Sequence, residues 1–172
     1  MKRKITSILT LILIGSLAFS GCKKSNKDDD QKETNPCGDK NTCFKIGADL
    51  SYAFNTTWIS QAQDKYKIYY NQSLGGTSSE RLDLVIKSEG GLKEGTYEFI
   101  SIDKPLNTNK QATFEYYKNN AGDLTQVKCE SGTLTITKFA DKKLSGKFTC
   151  AAKDAFGIAL SVTSGNFYML EN

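Results

Sequence analysis

Five cysteines and no histidine set the chemistry open to this chain. A thiol can ligate a metal, attack as a nucleophile, close a disulfide or form a thioether. Without histidine, Ser–His–Asp and Cys–His catalysis are excluded, and so are histidine-dependent zinc sites. Cys37, Cys43, Cys129 and Cys150 lie in the body of the chain. Cys22 stands apart, directly behind the small pair Ser20-Gly21. The four body cysteines are an even set and read as two disulfides, for which three connectivities are open. The preferred one closes the short loop Cys37–Cys43 and staples two neighbouring strands through Cys129–Cys150. Close CxxC pairs of the kind that hold metals are absent from the sequence.

Carboxylates are the second candidate chemistry. Glu80, Asp83, Glu89, Glu94, Glu98, Asp103, Glu115, Asp123, Glu130, Asp141 and Asp154 are scattered along the chain. Glycoside hydrolysis needs two of them facing each other across a cleft, which spacing alone does not reveal. No run has calcium-loop spacing. Gly75-Gly76 and Gly90-Gly91 are not followed by the Lys-Ser/Thr of a phosphate loop and read as hairpin punctuation. The third candidate is aromatic stacking on a sugar ring or a peptide. Trp58, Tyr66, Tyr97 and Tyr116 fit packing within and across strands. The parity of Tyr69 and Tyr117 puts them opposite the apolar face, which makes them the candidate ligand-stacking pair.

The elements that would position these residues are strands. Leu82, Leu84 and Ile86 alternate with Asp83 and Lys87, and Phe114 and Tyr116 with Glu115 and Tyr117. Leu134 and Ile136 alternate with threonines, Phe148 and Cys150 with Lys147 and Thr149, and Ile158, Leu160 and Val162 with Ser161 and Thr163. Tyr66 to Tyr70, Tyr97 to Phe99 and Phe167 to Leu170 add further runs. Turn residues separate them at Gly75-Gly76, Gly90-Gly91, Asn119 to Asp123, Asp141 to Lys143 and Ser164 to Asn166. One-faced alternation at this spacing predicts an all-β domain: an antiparallel β-sandwich or partly open barrel of about 8–10 strands. A helical turn near Ser60–Lys65 is the only helical feature expected.

Before the domain come two segments of opposite character. Met1 to Lys4 is basic, and Ile5 to Phe19 is apolar. Such a stretch, roughly 22 Å long as a helix, is short of the ~20 residues needed to span a bilayer, so residues 1–21 read as a secretory signal peptide and not as a retained membrane helix. Residues 22–42 begin with a run of charged and polar residues and read as a flexible tether, with residues 43–172 as the folded domain. The chain has 23 basic and 19 acidic residues, and Lys2, Arg3 and Lys4 belong to the leader. The remainder is close to neutral with no concentrated basic patch, so no nucleic-acid partner is expected.

Phe19-Ser20-Gly21-Cys22 resembles the lipobox of bacterial lipoproteins, with phenylalanine in place of the usual leucine at its first position. The resemblance implies that Cys22 takes a thioether-linked diacylglycerol, becomes the mature N-terminus and holds the protein on a membrane. Lys27-Asp28-Asp29-Asp30 resembles the export signal of surface lipoproteins in the Bacteroidetes group, which implies display on the outer face of the outer membrane. The strings Ser131 to Thr137, Leu144 to Phe148 and Val162 to Phe167, with Trp58 and Gly95-Thr96-Tyr97, resemble a family of small β-sandwich lipoproteins of that group. That likeness implies fold and location only, its glycines serving turns or bulges, because the family carries no established activity. In a bacterial setting the sequon Asn55-Thr56-Thr57 is a chance match.

The resulting expectation is a non-catalytic, surface-displayed lipoprotein whose domain binds a ligand or serves envelope structure. It needs no cofactor beyond the lipid on Cys22, and its partners are the membrane and an unidentified glycan or protein. The alternatives are a carbohydrate- or peptide-binding accessory protein of a nutrient-uptake system, and an enzyme or enzyme inhibitor.

Overall fold

A computed structural model describes residues 34–172 apart from residue 49. The expected leader, Cys22 and most of the expected tether lie outside the described residues. Ten strands form among the described residues: β1 (Thr42–Ile46), β2 (Leu50–Phe54), β3 (Thr57–Ala62), β4 (Lys65–Gly75), β5 (Ser78–Lys87), β6 (Gly95–Ile100), β7 (Gln111–Asn120), β8 (Asp123–Ala140), β9 (Lys143–Lys153) and β10 (Ala159–Leu170). They make one curled sheet, a half-barrel, in the order β2-β1-β10-β9-β8-β6-β7-β5-β4-β3. All pairings are antiparallel except a short parallel contact of β6 with β7. The all-β expectation holds, and of its two forms the open barrel is nearer than two separate sheets.

Local chemistry explains the hairpins. β8 and β9 are joined by Asp141 and Lys142, both at positive φ, as the two-residue turn that matches strand twist requires. β7 and β8 use Ala121 and Gly122 in the same way. The expected helical turn near Ser60–Lys65 is replaced by strand up to Ala62 and a tight Gln63-Asp64 turn into β4. Tyr66 and Ile68 must face the same core as Trp58, and a hairpin achieves that where a helical turn would rotate them apart. Ile158, expected inside a strand, lies in the loop before β10 and is exposed.

The core fills the concave side. Phe44, Tyr97, Phe99, Phe114, Tyr116, Leu134, Ile136 and Phe167 are fully buried there. Phe54 of edge strand β2 meets Tyr70 of β4 at 4.8 Å between ring centroids, so aromatic rings close the interior across the gap between the sheet's ends. Asn41 ties the β2–β3 link down: its side-chain oxygen accepts the Thr56 N–H at 2.7 Å and its amide donates to the Thr56 carbonyl at 2.9 Å. The Trp58 indole of β3 donates to the Lys142 carbonyl at 3.1 Å.

The glycines of two Ser-Gly-x-Phe strings do more than bend the chain. β9 carries Ser145-Gly146-Lys147-Phe148 and β10 carries Ser164-Gly165-Asn166-Phe167. Antiparallel register sets Phe148 opposite Gly165 and Phe167 opposite Gly146. Each phenyl ring lies over the glycine of the other strand, so a Cβ at Gly165 would sit 2.6 Å from the Phe148 ring and one at Gly146 2.3 Å from Phe167 Cζ. Both glycines adjoin bulges, and at Ser164 to Asn166, expected as a turn between strands, β10 runs on through its bulge. Their particular role is to leave room for a ring.

Both disulfides take the preferred pairing. Cys37–Cys43 and Cys129–Cys150 form with Cα separations of 5.4 and 5.9 Å. Folded contacts begin ahead of residue 43. Asn35 accepts the Cys37 N–H at 2.9 Å and donates to the Lys40 carbonyl at 2.6 Å, and the Cys37–Cys43 bridge pins this loop to β1. Residues 34–172 contain a core, two disulfides and a ten-stranded sheet, so that stretch holds what an independently folding unit needs.

Candidate functional site

Period-two alternation sends odd-numbered residues of β4, β5 and β7 to the outer face of the half-barrel. Register then aligns them. Tyr69 lies beside Asp83, which lies beside Glu115; one pair along, Arg81 lies beside Tyr117, which lies beside Gln126 of β8. The result is a belt across four strands. Lys67 Nζ is 2.8 Å from Asp83 Oδ1, Arg81 Nε is 3.5 Å from Asp83 Oδ2, and Arg81 Nη2 donates to Glu115 Oε2 at 2.9 Å. Gln126 Nε2 donates to the other Glu115 oxygen at 2.9 Å. Glu115 is buried beneath these partners.

The two candidate tyrosines flank this belt. Both are half-buried on the outer face, as their parity required. Lys67 lies 6.0 Å from the Tyr69 ring centroid and Arg81 lies 5.9 Å from that of Tyr117, within the range of cation–π attraction. The rings are not brought together: β5 runs between them. Two strand spacings across and two residues along separate their Cα atoms by roughly 12 Å. Two half-exposed rings on strands set that far apart could stack on two rings of one extended ligand, while Arg81 offers donors between them. Asp83 and Glu115 are cross-strand neighbours, but they sit on the outer face of a sheet with the Arg81 guanidinium bridging them. The arrangement therefore lacks the opposed carboxylates and intervening space that glycoside hydrolysis uses.

A second polar group lies on the concave side and was missed from the sequence. Glu80 is buried at one end of the interior, where the Tyr116 hydroxyl donates to its Oε1 at 2.5 Å and Lys118 Nζ stands 3.6 Å away. Tyr52 packs on Tyr116 at 4.7 Å between centroids, and the Tyr70 hydroxyl donates to Gln72 Oε1. Burial first, and then the hydrogen bond and charge of Glu80, push the Tyr116 hydroxyl well above the ordinary tyrosine range. Burial, with a smaller effect of Glu80, also raises Tyr52 and Tyr70. The signal was available: Glu80 has the parity of Leu82, Leu84 and Ile86, so it had to face inward with them.

Trp58, Tyr66, Tyr97 and Tyr116, read as packing residues, are all buried. Cys22 lies outside the described residues. Among the described residues no three Cys, Asp or Glu side chains converge as metal ligands. No protein-family model, curated protein or solved structure matches this chain.

Proposed function

We propose that this protein is a lipid-anchored binding module of the bacterial envelope, held in the outer membrane by acyl chains on Cys22 and displayed at the cell surface. The anchoring part rests on the Phe19-Ser20-Gly21-Cys22 string and on thiol count. The other four cysteines are satisfied by one another, which leaves Cys22 without a disulfide partner in the chain. Two disulfides also suit an oxidising, extracytoplasmic setting. The observation that carries the binding part is the outer belt, where Tyr69 and Tyr117 flank a fixed row of charges. A polar face with two rings suits a glycan better than an apolar peptide, since sugars present both hydroxyls and flat C–H faces. Its carboxylates are already tied to cations, which supports binding without catalysis.

Two measurements test this. Mass spectrometry of the N-terminal peptide from native membranes should find the chain starting at acylated Cys22, and Cys22→Ser should move the protein out of the detergent phase. An unmodified Met1 would remove the anchoring part. A glycan array probed with residues 23–172 should give signals lost in Tyr69→Ala and Tyr117→Ala. Signals that persist in both variants would remove the belt as the site.

A further inference from the structure

Five large apolar side chains are exposed among the described residues: Phe156 (83%), Ile158 (61%), Leu50 (54%), Leu74 (41%) and Leu124 (41%). Strand register places all five at the same end of the half-barrel. Leu50 pairs with Ile46 at the β1–β2 turn, Leu124 follows the β7–β8 turn, Leu74 precedes the β4–β5 turn, and Phe156 and Ile158 form the β9–β10 loop. Leu50, Leu124 and Phe156 line one cleft of about 180 Å³ with Ile46, Val127 and Leu160.

The loop that carries the most exposed residue is built to hold it out. Asp154 Oδ1 accepts the N–H groups of both Phe156 and Ile158 at 2.8 Å. The Asp154 N–H donates to the Ile158 carbonyl at 3.0 Å and the Gly157 N–H to the Asp154 carbonyl at 3.1 Å, with Gly157 at φ +81°. A loop with this many internal bonds presents Phe156 to solvent in a fixed way. Charge is also segregated. The described turn residues of this end, 47–48, 75–77, 121–122 and 154–158, contain no lysine or arginine and one acid, Asp154, with Lys45 and Lys153 flanking them, whereas the opposite end carries Lys93, Glu94, Asp141, Lys142 and Lys143.

We propose that this apolar end rests in the interface of the bilayer that holds Cys22. The claim rests on the lipid-anchor reading above. The position and length of the chain outside the described residues favour that occupant. Pro36 lines a cleft that runs along β1 and β2 from Cys43 and Ala53 to Lys45 and Ser51, the register pair next to Ile46 and Leu50, so the tether leaves the domain along β1, close to the apolar end. From Cys22 to Thr34 the chain can span at most roughly 40 Å, which keeps these turns within reach of the membrane. Separate apolar tips on successive turns suit a fluid acyl surface. The turns themselves carry no lysine or arginine, so insertion, not headgroup charge, supplies the attraction, which should be insensitive to salt.

The test uses residues 22–172, coupled through Cys22, the one thiol outside the disulfides, to a maleimide phospholipid. The vesicles are of phosphatidylethanolamine and phosphatidylglycerol doped with brominated lipid. This attachment holds whether or not the cell acylates Cys22, so its failure is separable from that of the anchor reading. In Phe156→Trp the new indole should be blue-shifted and quenched, unchanged between 0.05 and 0.5 M salt as roughly set by screening, while buried Trp58 in the parent protein stays unquenched. Adding Ile158→Asp and Leu124→Asp should cut the quenched fraction roughly tenfold. An indole at position 156 that emits as in water and escapes quenching on these vesicles overturns the proposal. So does concentration-dependent dimerisation of the uncoupled protein that Phe156→Asp abolishes, since the end would then be an interface between two copies.

Discussion

Replacing Gly165 by alanine places a methyl carbon 2.6 Å from the Phe148 ring, where about 3.5–4.0 Å is comfortable. Toward the core the ring is blocked. Its other neighbours are Phe114 at 5.2 Å and Phe44 and Phe99 at 6.2 Å between centroids, all buried. Overpacking of this kind costs about 1–3 kcal/mol, and the usual gain of alanine over glycine within a strand offsets less than about 1 kcal/mol of it. We expect a net loss of about 2 kcal/mol. For a domain of about 140 residues, with an unfolding entropy near 2.1 cal/mol/K per residue, that lowers Tm by about 7 °C. Urea unfolding of residues 23–172, followed by Trp58 emission, reads the loss directly, and the slope m should not change. A smaller side chain at 148 should relieve the clash, so Phe148→Leu with Gly165→Ala should cost about 1 kcal/mol less than the two single changes added together. Gly146→Ala should cost more and be rescued less by Phe167→Leu, because the added carbon also meets the backbone oxygen of Thr135 at 2.6 Å. A neutral or stabilising Gly165→Ala, or a strictly additive cycle, would refute the interlock.

Opening Cys129–Cys150, which closes a loop with a sequence separation of 21, should cost about 3 kcal/mol in Cys129→Ala/Cys150→Ala, against about 2 for the Cys37–Cys43 loop with a separation of 6; urea midpoints of the two double variants should fall in that order. Tyr116 keeps its proton in the fold above the pH at which a free tyrosine loses it, so its contribution is complete below about pH 10 and declines as pH rises beyond that. Stability measured between about pH 9 and 11 should therefore fall, and Tyr116→Phe should make the fall shallower while lowering stability at pH 7 by about 1–2 kcal/mol through the hydrogen bond that buried Glu80 loses. Tyr69→Ala and Tyr117→Ala, by contrast, should each change the urea midpoint by the equivalent of less than about 1 kcal/mol, since both lie outside the core.

What the amino-acid order determined by itself is whatever depends on neighbours along the chain. Period two set the strand class and the face of each side chain, so Tyr69 and Tyr117 could be sent outward and Phe114 and Tyr116 inward before any partner strand was known. The same parity sent Glu80 inward with Leu82, Leu84 and Ile86. Turn residues marked most hairpins, and thiol count left three disulfide connectivities open, of which the preferred one formed. Tertiary structure decided everything that depends on which strand lies beside which. Register alone brings Gly165 under Phe148, bridges Asp83 to Glu115 through Arg81, and sets β5 between the two tyrosines. It also gathers Leu50, Leu74, Leu124, Phe156 and Ile158, far apart in sequence, at one end of the sheet. Strand pairing is a contact between distant residues, and no local period encodes it.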